Sequence, residues 1–454
     1  VNIDNNDNVQ AEGNSVTVYI NDRKSVFTGK ELKEYLKTIA ADNLLKIEVI
    51  TTPSAKYETS GAVINIVLKK NDNEGLKGSV SMNNSQSYKN SQSSSVNLNY
   101  HRKKFTQSFS GSFSNNNNVM KAYNENLIYA DNSLTKITSE TNSNWQSPSA
   151  SSSTEFELDD KNNIGLVMEY YGSNNSSVSD ARGDFFLNDM LQKFYTKTVD
   201  GEGKNRFIGS NVFYKYYDKE KNKILDLNAG INYDSNDNTN IHSTIWNVNP
   251  FEGIKTTADN QNREYYLKLD YSQPVGKNGD QLEFGGKTNF KNNEMPFHYF
   301  NFQNNSWTAD GSRTNTFRYT ENLNSLYANF SKTFFKKLET RIGLRYEYIN
   351  FTVRQEVGSV ERKDSYGTLM PDLLLKYSFN ENYNLTATYK HSLWRPWYME
   401  FNPFLMPTEN GTYSRGNMDL QPNPNDRFGL KLGLYKKYFL SANYSTTNQD
   451  YWTS

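Results

Sequence analysis

The chain has no cysteine, which excludes disulfide staples, thiolate metal centres and a cysteine nucleophile. It has no excess of either charge: 50 Lys+Arg balance 50 Asp+Glu. Nothing electrostatic therefore favours nucleic acid, which asks for a basic surface. No apolar run approaches the roughly 20 residues of a membrane helix. The start, Val1-Asn2-Ile3-Asp4, has neither the basic nor the apolar region of a secretory signal. Apolar residues are scarce at 35%, yet aromatics reach 14%, with 32 Tyr and 26 Phe. A disordered chain is poor in aromatics. Few apolar residues with many Tyr, Phe, Asn and Ser suit membrane strands whose alternate residues face water.

Catalytic patterns are missing as well. His101, His242, His298 and His391 are widely separated and share no metal-ligand spacing. No HExxH, phosphate-binding loop or nucleophile elbow occurs. Asp4-Asn5-Asn6-Asp7 lacks the Gly and terminal Glu of a calcium loop and reads as a polar turn. Asp159-Asp160 reads as a solvated turn, and Asp234-Ser235-Asn236-Asp237-Asn238 as a plain outer loop. We expect no enzyme, no cofactor and no metal site.

What is present falls into two parts. Val16-Thr17-Val18-Tyr19-Ile20 reads as a strand and Asn21-Asp22 as a turn. Thr28 and Glu31 have capping-box spacing. Leu32, Tyr35, Leu36 and Ile39 fall on one helical face, so a helix is expected over 29–40. A strand from Leu45 to Thr51 runs into Pro53-Ser54-Ala55-Lys56-Tyr57, then a turn at Ser60-Gly61-Ala62, then a strand from Val63 to Leu68. Pro53 fixes φ and Gly61 frees it, so 53–61 is expected to be a loop between strands. The three strands 16–20, 45–51 and 62–69 are expected to form one sheet under the helix.

From Gly75 the rhythm changes to period 2. Leu225, Leu227, Ala229, Ile231 and Tyr233 alternate with polar residues, as do Tyr265, Leu267, Leu269 and Tyr271, and Ile342, Leu344, Tyr346 and Tyr348. Alternation puts each apolar set on one face of a sheet. Short polar turns separate the strands at Arg102-Lys103-Lys104, Asp159 to Asn162, Asp218 to Lys223, Gly276 to Asp280, Lys336-Lys337, Asn380-Glu381-Asn382 and Lys436-Lys437. Most lie roughly 58 residues apart, and two strands of about 10 residues fill only part of such a unit. The remainder, such as 172–205 or 234–262, is expected to be long Asn/Ser/Gly-rich loop on the outer side. Tyr100, Phe105, Tyr217, Tyr271, Phe334, Phe335, Tyr377, Phe379, Tyr383, Tyr438 and Phe439 recur beside these turns, as an interfacial aromatic girdle does. The fold class expected is a transmembrane all-β, antiparallel up-and-down outer-membrane barrel.

Two stretches carry a family resemblance. The run Ile47-Glu48-Val49-Ile50, followed by Pro53-Ser54, Tyr57, Gly61 and Ile64-Asn65-Ile66, resembles the end of the plug domain of TonB-dependent outer-membrane receptors. Later, Trp394-Arg395-Pro396-Trp397-Tyr398, Phe401-Asn402-Pro403-Phe404 and Gly416-Asn417-Met418-Asp419-Leu420-Gln421-Pro422 look like a segment of the related outer-membrane barrels, with Met418 where Pro is usual. The resemblance implies a plug domain over 1–72, inside the lumen of a barrel over 73–454. It implies a receptor that imports an external ligand, with a TonB-type energy-coupling protein as partner through an N-terminal box not visible here. Other implied partners are outer-membrane lipid and lipopolysaccharide, and a surface lipoprotein or envelope-complex protein. The alternative is a plugged barrel that transports nothing and serves as an envelope scaffold. Ligand contact is expected at Trp394, Arg395, Trp397 and Tyr398, where aromatic rings meet a fixed charge. Counting strands on either side of each turn gives about 15, an odd number, against about 22 that the resemblance implies. The strand from Gly75 and the strand from Leu440 to about Tyr451 are therefore expected not to pair with each other, and the chain is expected to be part of a longer precursor.

Overall fold

In the computed structural model the described residues are 74–447 apart from 130–131, 249–250, 277–279, 408–412 and 436. Of the N-terminal part they are 2–3, 9–11, 14–20, 23–25, 32, 36, 44–50, 53–57, 59 and 62–68. From Gly75 the chain is an antiparallel meander. Fifteen strands, from Gly75–Gln86 to Tyr438–Thr447, are hydrogen-bonded in chain order, and the short strand Ser306–Ala309 adds to Asp280–Gln303. The expected count of about fifteen is met. Gly75–Gln86 and Tyr438–Thr447 form the two edges, and among the described residues they do not pair with each other.

Alternation sets the two faces. On Leu338–Gln355, Ile342, Leu344, Tyr346 and Tyr348 are exposed, while Arg345 and Glu347 between them are buried on the opposite face. Beyond Tyr348 the polarity inverts. Asn350, Thr352 and Arg354 continue the outer row, while the inner row becomes Ile349, Phe351 and Val353, all buried. The neighbouring strand inverts at the same height: Phe330, Ala328 and Leu326 give way to Asn324, which lies opposite Tyr348. The apolar outer row from Leu338 to Tyr348 begins beside a tight turn. At about 3.3 Å per residue, tilted by roughly 40°, it rises ~25 Å, the height of a hydrocarbon band. The expected rows also meet across strands, with Leu225 opposite Tyr271, Leu227 opposite Leu269, and Ala229 opposite Leu267. Aromatic pairs close the turn side, among them Tyr377 with Phe379 and Tyr383 with Tyr435, both at 5.0 Å.

The outer side differs from expectation. Residues 172–205 and 234–262 are mostly strand. Asn162–Leu187 and Met190–Asp218 pair almost throughout and turn at Asn188-Asp189, whose φ values of 49° and 63° make a type I′ hairpin. Asp234 to Asn238 are ladder residues of Lys223–Trp246, so they form no loop. A membrane needs about 9–11 residues of a strand. Met190–Asp218 has 29 residues, and its surplus amides keep pairing with their neighbours instead of being left to solvent. Low β-propensity of Asn, Ser and Gly did not outweigh a continued ladder.

The N-terminal strands form a second, smaller sheet. Asn14–Ile20 pairs in parallel with Ala62–Leu68, which pairs antiparallel with Leu44–Ile50, so the three expected strands do share a sheet. Of the helix expected over 29–40, only Leu32 and Leu36 are described, and both are helical. Leu32 is buried with Val18, Ile64 and Ile66, and the same cluster takes in Tyr171 and Phe207 of the large sheet. The small sheet thus packs on the inner face of the large one. The readings at Asp4 to Asp7, Asn21-Asp22, Thr28, Glu31, Tyr35, Ile39, Gly61 and Tyr451 lie outside the described residues.

Candidate functional site

The corner after Leu44–Ile50 is a tight turn, as Pro53 and its small neighbours imply. The Tyr57 amide donates to the Ser54 carbonyl at 3.0 Å, and Ser54 and Ala55 are buried. A side chain as small as Ala55 lets the backbone reach the wall. The Ala55 amide donates to Asn329 Oδ1 at 3.3 Å, and its carbonyl accepts from the Arg345 guanidinium at 3.3 Å. Four residues on, Lys390 Nζ donates to the Thr59 carbonyl at 2.7 Å. Asn329, Arg345 and Lys390 stand on three strands, Asn315–Phe334, Leu338–Gln355 and Tyr383–Trp394.

The wall groups are tied further. Arg345 Nε donates to Glu347 Oε1 at 2.5 Å, with both side chains 8% exposed. The other Glu347 oxygen holds Arg395. One carboxylate thus serves two guanidiniums, which offsets the cost of taking charge out of water. A continuous set of polar contacts runs from Arg395 through Glu347 and Arg345 to the Ala55 backbone.

Arg395 opens a segment that folds back over the inner wall. A 3-10 turn, Tyr398–Phe401, is closed by the Glu400 carboxylate, which accepts from the Trp397 amide at 2.8 Å. It drives Phe401, 3% exposed, between Tyr319 and Phe351 at 6.1 and 5.4 Å. These belong to the inner row that turns apolar above Tyr348, and they need this cover. The far end of the segment returns to the same place. The Gly416 amide donates to the Asn402 carbonyl at 2.5 Å and the Asn417 amide to the Glu400 carbonyl at 2.7 Å. A Cβ at Gly416 would sit 2.6 Å from the Glu400 carbonyl carbon, so only glycine fits. Arg362 stacks on Phe351 at 5.5 Å and donates to the Met418 and Leu420 carbonyls.

Of the four residues expected to meet ligand, Trp397 and Tyr398 are brought together, with rings 4.9 Å apart and Trp397 59% exposed. Trp394 ends its strand, exposed, and Arg395 is engaged with Glu347. Burial, then the Asp234 carboxylate, pushes the Tyr398 phenol up, so it stays a neutral hydrogen-bonding group. Sequence reasoning missed Asn329, Arg345, Glu347 and Lys390. Their signal was their parity, because each sits out of phase with the outward apolar row of its strand.

A family model described as outer membrane protein beta-barrel family matches residues 217–453. No curated protein matches. Among solved structures the chain is similar to the ferric citrate transporter in its unliganded form, at 14% identity and TM-score 0.53, covering 95% of this chain and 60% of that one. It is similar to the ferric yersiniabactin uptake receptor from Yersinia pestis, at 12% and 0.56, covering 95% and 63%. It is also similar to a double mutant of the Serratia marcescens hemophore receptor in complex with its hemophore and heme, at 13% and 0.53, covering 92% and 61%. The chain spans less than two thirds of each of these proteins, and at such identities the likeness is one of fold.

Proposed function

The chain belongs to the outer membrane protein beta-barrel family, and from that premise we propose that it is a plugged receptor which binds an external ligand and passes it inward when the plug shifts. It resides in the bacterial outer membrane. The plug is the N-terminal unit, residues 1–72, and the barrel wall is 73–454. One observation carries the reading: the polar contacts that join Arg395, on the folded-back segment, to the backbone of the plug corner at Ala55. Ligand that engages Trp394, Trp397 and Tyr398 displaces Arg395, frees Glu347 and loosens the Arg345 hold on the plug. An inner-membrane coupling protein of the TonB type then supplies the work of displacement. No bond of the ligand is made or broken.

Permeability tests this. Deleting residues 1–70 is expected to make cells sensitive to a large glycopeptide antibiotic that intact outer membranes exclude, with the full chain giving no such sensitivity. Unchanged resistance in a correctly assembled deletion would mean that the outer segments, and not the N-terminal unit, close the lumen.

A further inference from the structure

The inner wall is not uniform. From 264 to 395 it carries charge: Lys268 with Asp270 at 2.8 Å, Arg341 with Asp372 at 3.4 Å, and the Arg345–Glu347–Arg395 set. At the other end of the sheet, across Gly75–Gln86, Asn90–Arg102, Phe105–Ile128 and Ser133–Glu157, it carries hydroxyls. Register places Ser81, Ser95, Ser112 and Ser149 side by side in one row. Ser93, Ser114 and Ser147 form the next. No charged residue shares this face between Ser79 and Asn83, Ser93 and Asn97, Ser108 and Ser114, or Ser147 and Ser153. The outward partners on the same strands are Val80, Leu98 and Phe109, all exposed, so the serines face inward.

These short side chains leave a cleft along the wall, which Tyr171, itself packed on the small sheet, closes at one side. Within the rows the hydroxyls pair: Ser112 with Ser149 at 2.7 Å, and Ser110 with Ser151 at 2.8 Å. Such a pair spends one hydrogen and one lone pair, and keeps one hydrogen and three lone pairs free. The pattern breaks at Ser147, which lies opposite Ser114. Ser147 is 3% exposed and lines the cleft, and among the described residues its hydroxyl has no hydrogen-bond partner. A buried hydroxyl without a partner costs about 1–3 kcal/mol and calls for a ligand group that supplies one. Trp145, half-buried, stands one step farther out on the same face and offers a ring to an apolar surface.

We propose that this serine-lined cleft is a subsite for an uncharged, polyhydroxylated ligand, the chemistry of a neutral oligosaccharide. The surface both donates and accepts at every position, as a ligand rich in hydroxyls does. Its serine rows hold no cation to recruit an anionic chelate, and the charge beside them on this face is the Glu169 carboxylate, opposite Ser151 in register. Strands about 4.8 Å apart present one serine per strand, a spacing comparable with one sugar ring per step. The subsite rests on the receptor reading only in where it lies, because it names what that receptor carries past its plug.

The test is binding to the purified full chain in detergent, read by Trp145 fluorescence with Trp145→Phe as the spectroscopic control. The probes are neutral linear tetrasaccharides of glucose, mannose, xylose and galactose, each beside its sulfated form. At least one neutral probe is expected to bind, with the sulfated form weaker. Ser112→Val with Ser149→Val is expected to weaken binding about tenfold or more, and Ser147→Ala by severalfold, with β content by circular dichroism unchanged. No binding across the neutral panel, preference for the sulfated forms, or full affinity in the valine variant overturns the inference. Saccharide binding without any permeability change on deleting 1–70 would keep the subsite and sink the plug reading. The reverse pair of results would do the opposite.

Discussion

Glu347 is the residue on which the inner wall's electrostatics turn. It lies between Arg345 and Arg395, 8% exposed, with water largely excluded. Removing one member of a buried ion pair leaves its partner charged and uncompensated, at about 3–5 kcal/mol. Glu347→Gln is therefore expected to lower stability by about 3 kcal/mol in guanidinium unfolding of the detergent-solubilised protein. Glu361→Gln is its control. Glu361 pairs with Arg354, 54% exposed, on the outer face above the lipid band, where solvent screens the pair and its loss costs little. Equal losses in the two variants would show that Glu347 is not the buried centre described. Arg395 was legible as a charge among aromatic rings. Glu347 was not, because the two lie far apart in sequence and meet only when strand register places them together.

At the scale of elements, the strands of the lipid band were legible and their extensions were not. Where one face meets hydrocarbon and the other water, period 2 is written in the residues, as in Leu225 to Ile231. Above the band Asn174 to Asn205 carries largely polar residues on both faces, so it shows no alternation although it is strand on both sides of a turn. Only hydrogen bonding to the neighbours reveals it. The alternation itself is testable. Leu227→Arg puts a charge on the lipid face and is expected to cost about 2–4 kcal/mol and impair assembly. Asn228→Arg points inward, where Asn228 already bonds Asn211 at 3.2 Å, and is expected to be milder. Reversal of that order in heat-modifiable gel migration would reverse the faces. The folded-back segment has its own test. Gly416→Ala forces a methyl against the Glu400 carbonyl, an overpacking expected to cost about 1–3 kcal/mol. Trypsin should then cut after Arg415 faster than in the parent chain. An unchanged cleavage rate would mean that the segment is not pinned there.

At the scale of the whole molecule, the two larger sheets of the described residues divide the labour, beside a two-stranded one made by Met406–Pro407 and Tyr413–Ser414. The larger of the two presents hydrocarbon-compatible residues outward and polar ones inward over the same stretch, and the smaller rests on that polar face. The division was foreshadowed by the change of rhythm at Gly75, and the seat by Pro53 to Tyr57. What no sequence pattern revealed is where the seat lies on the wall, since Ala55 meets Asn329 and Arg345 across nearly 300 positions of chain. Because the protein has no cysteine, the placement is open to one direct measurement: disulfide formation in outer membranes, a compartment that allows it. Ala55→Cys combined with Asn329→Cys is expected to cross-link within the chain. Ala55→Cys combined with Asn324→Cys, on the outward face of the same strand, is expected not to. Failure of the first pair, or equal bridging by the second, would contradict the account of an N-terminal unit seated on the inner wall.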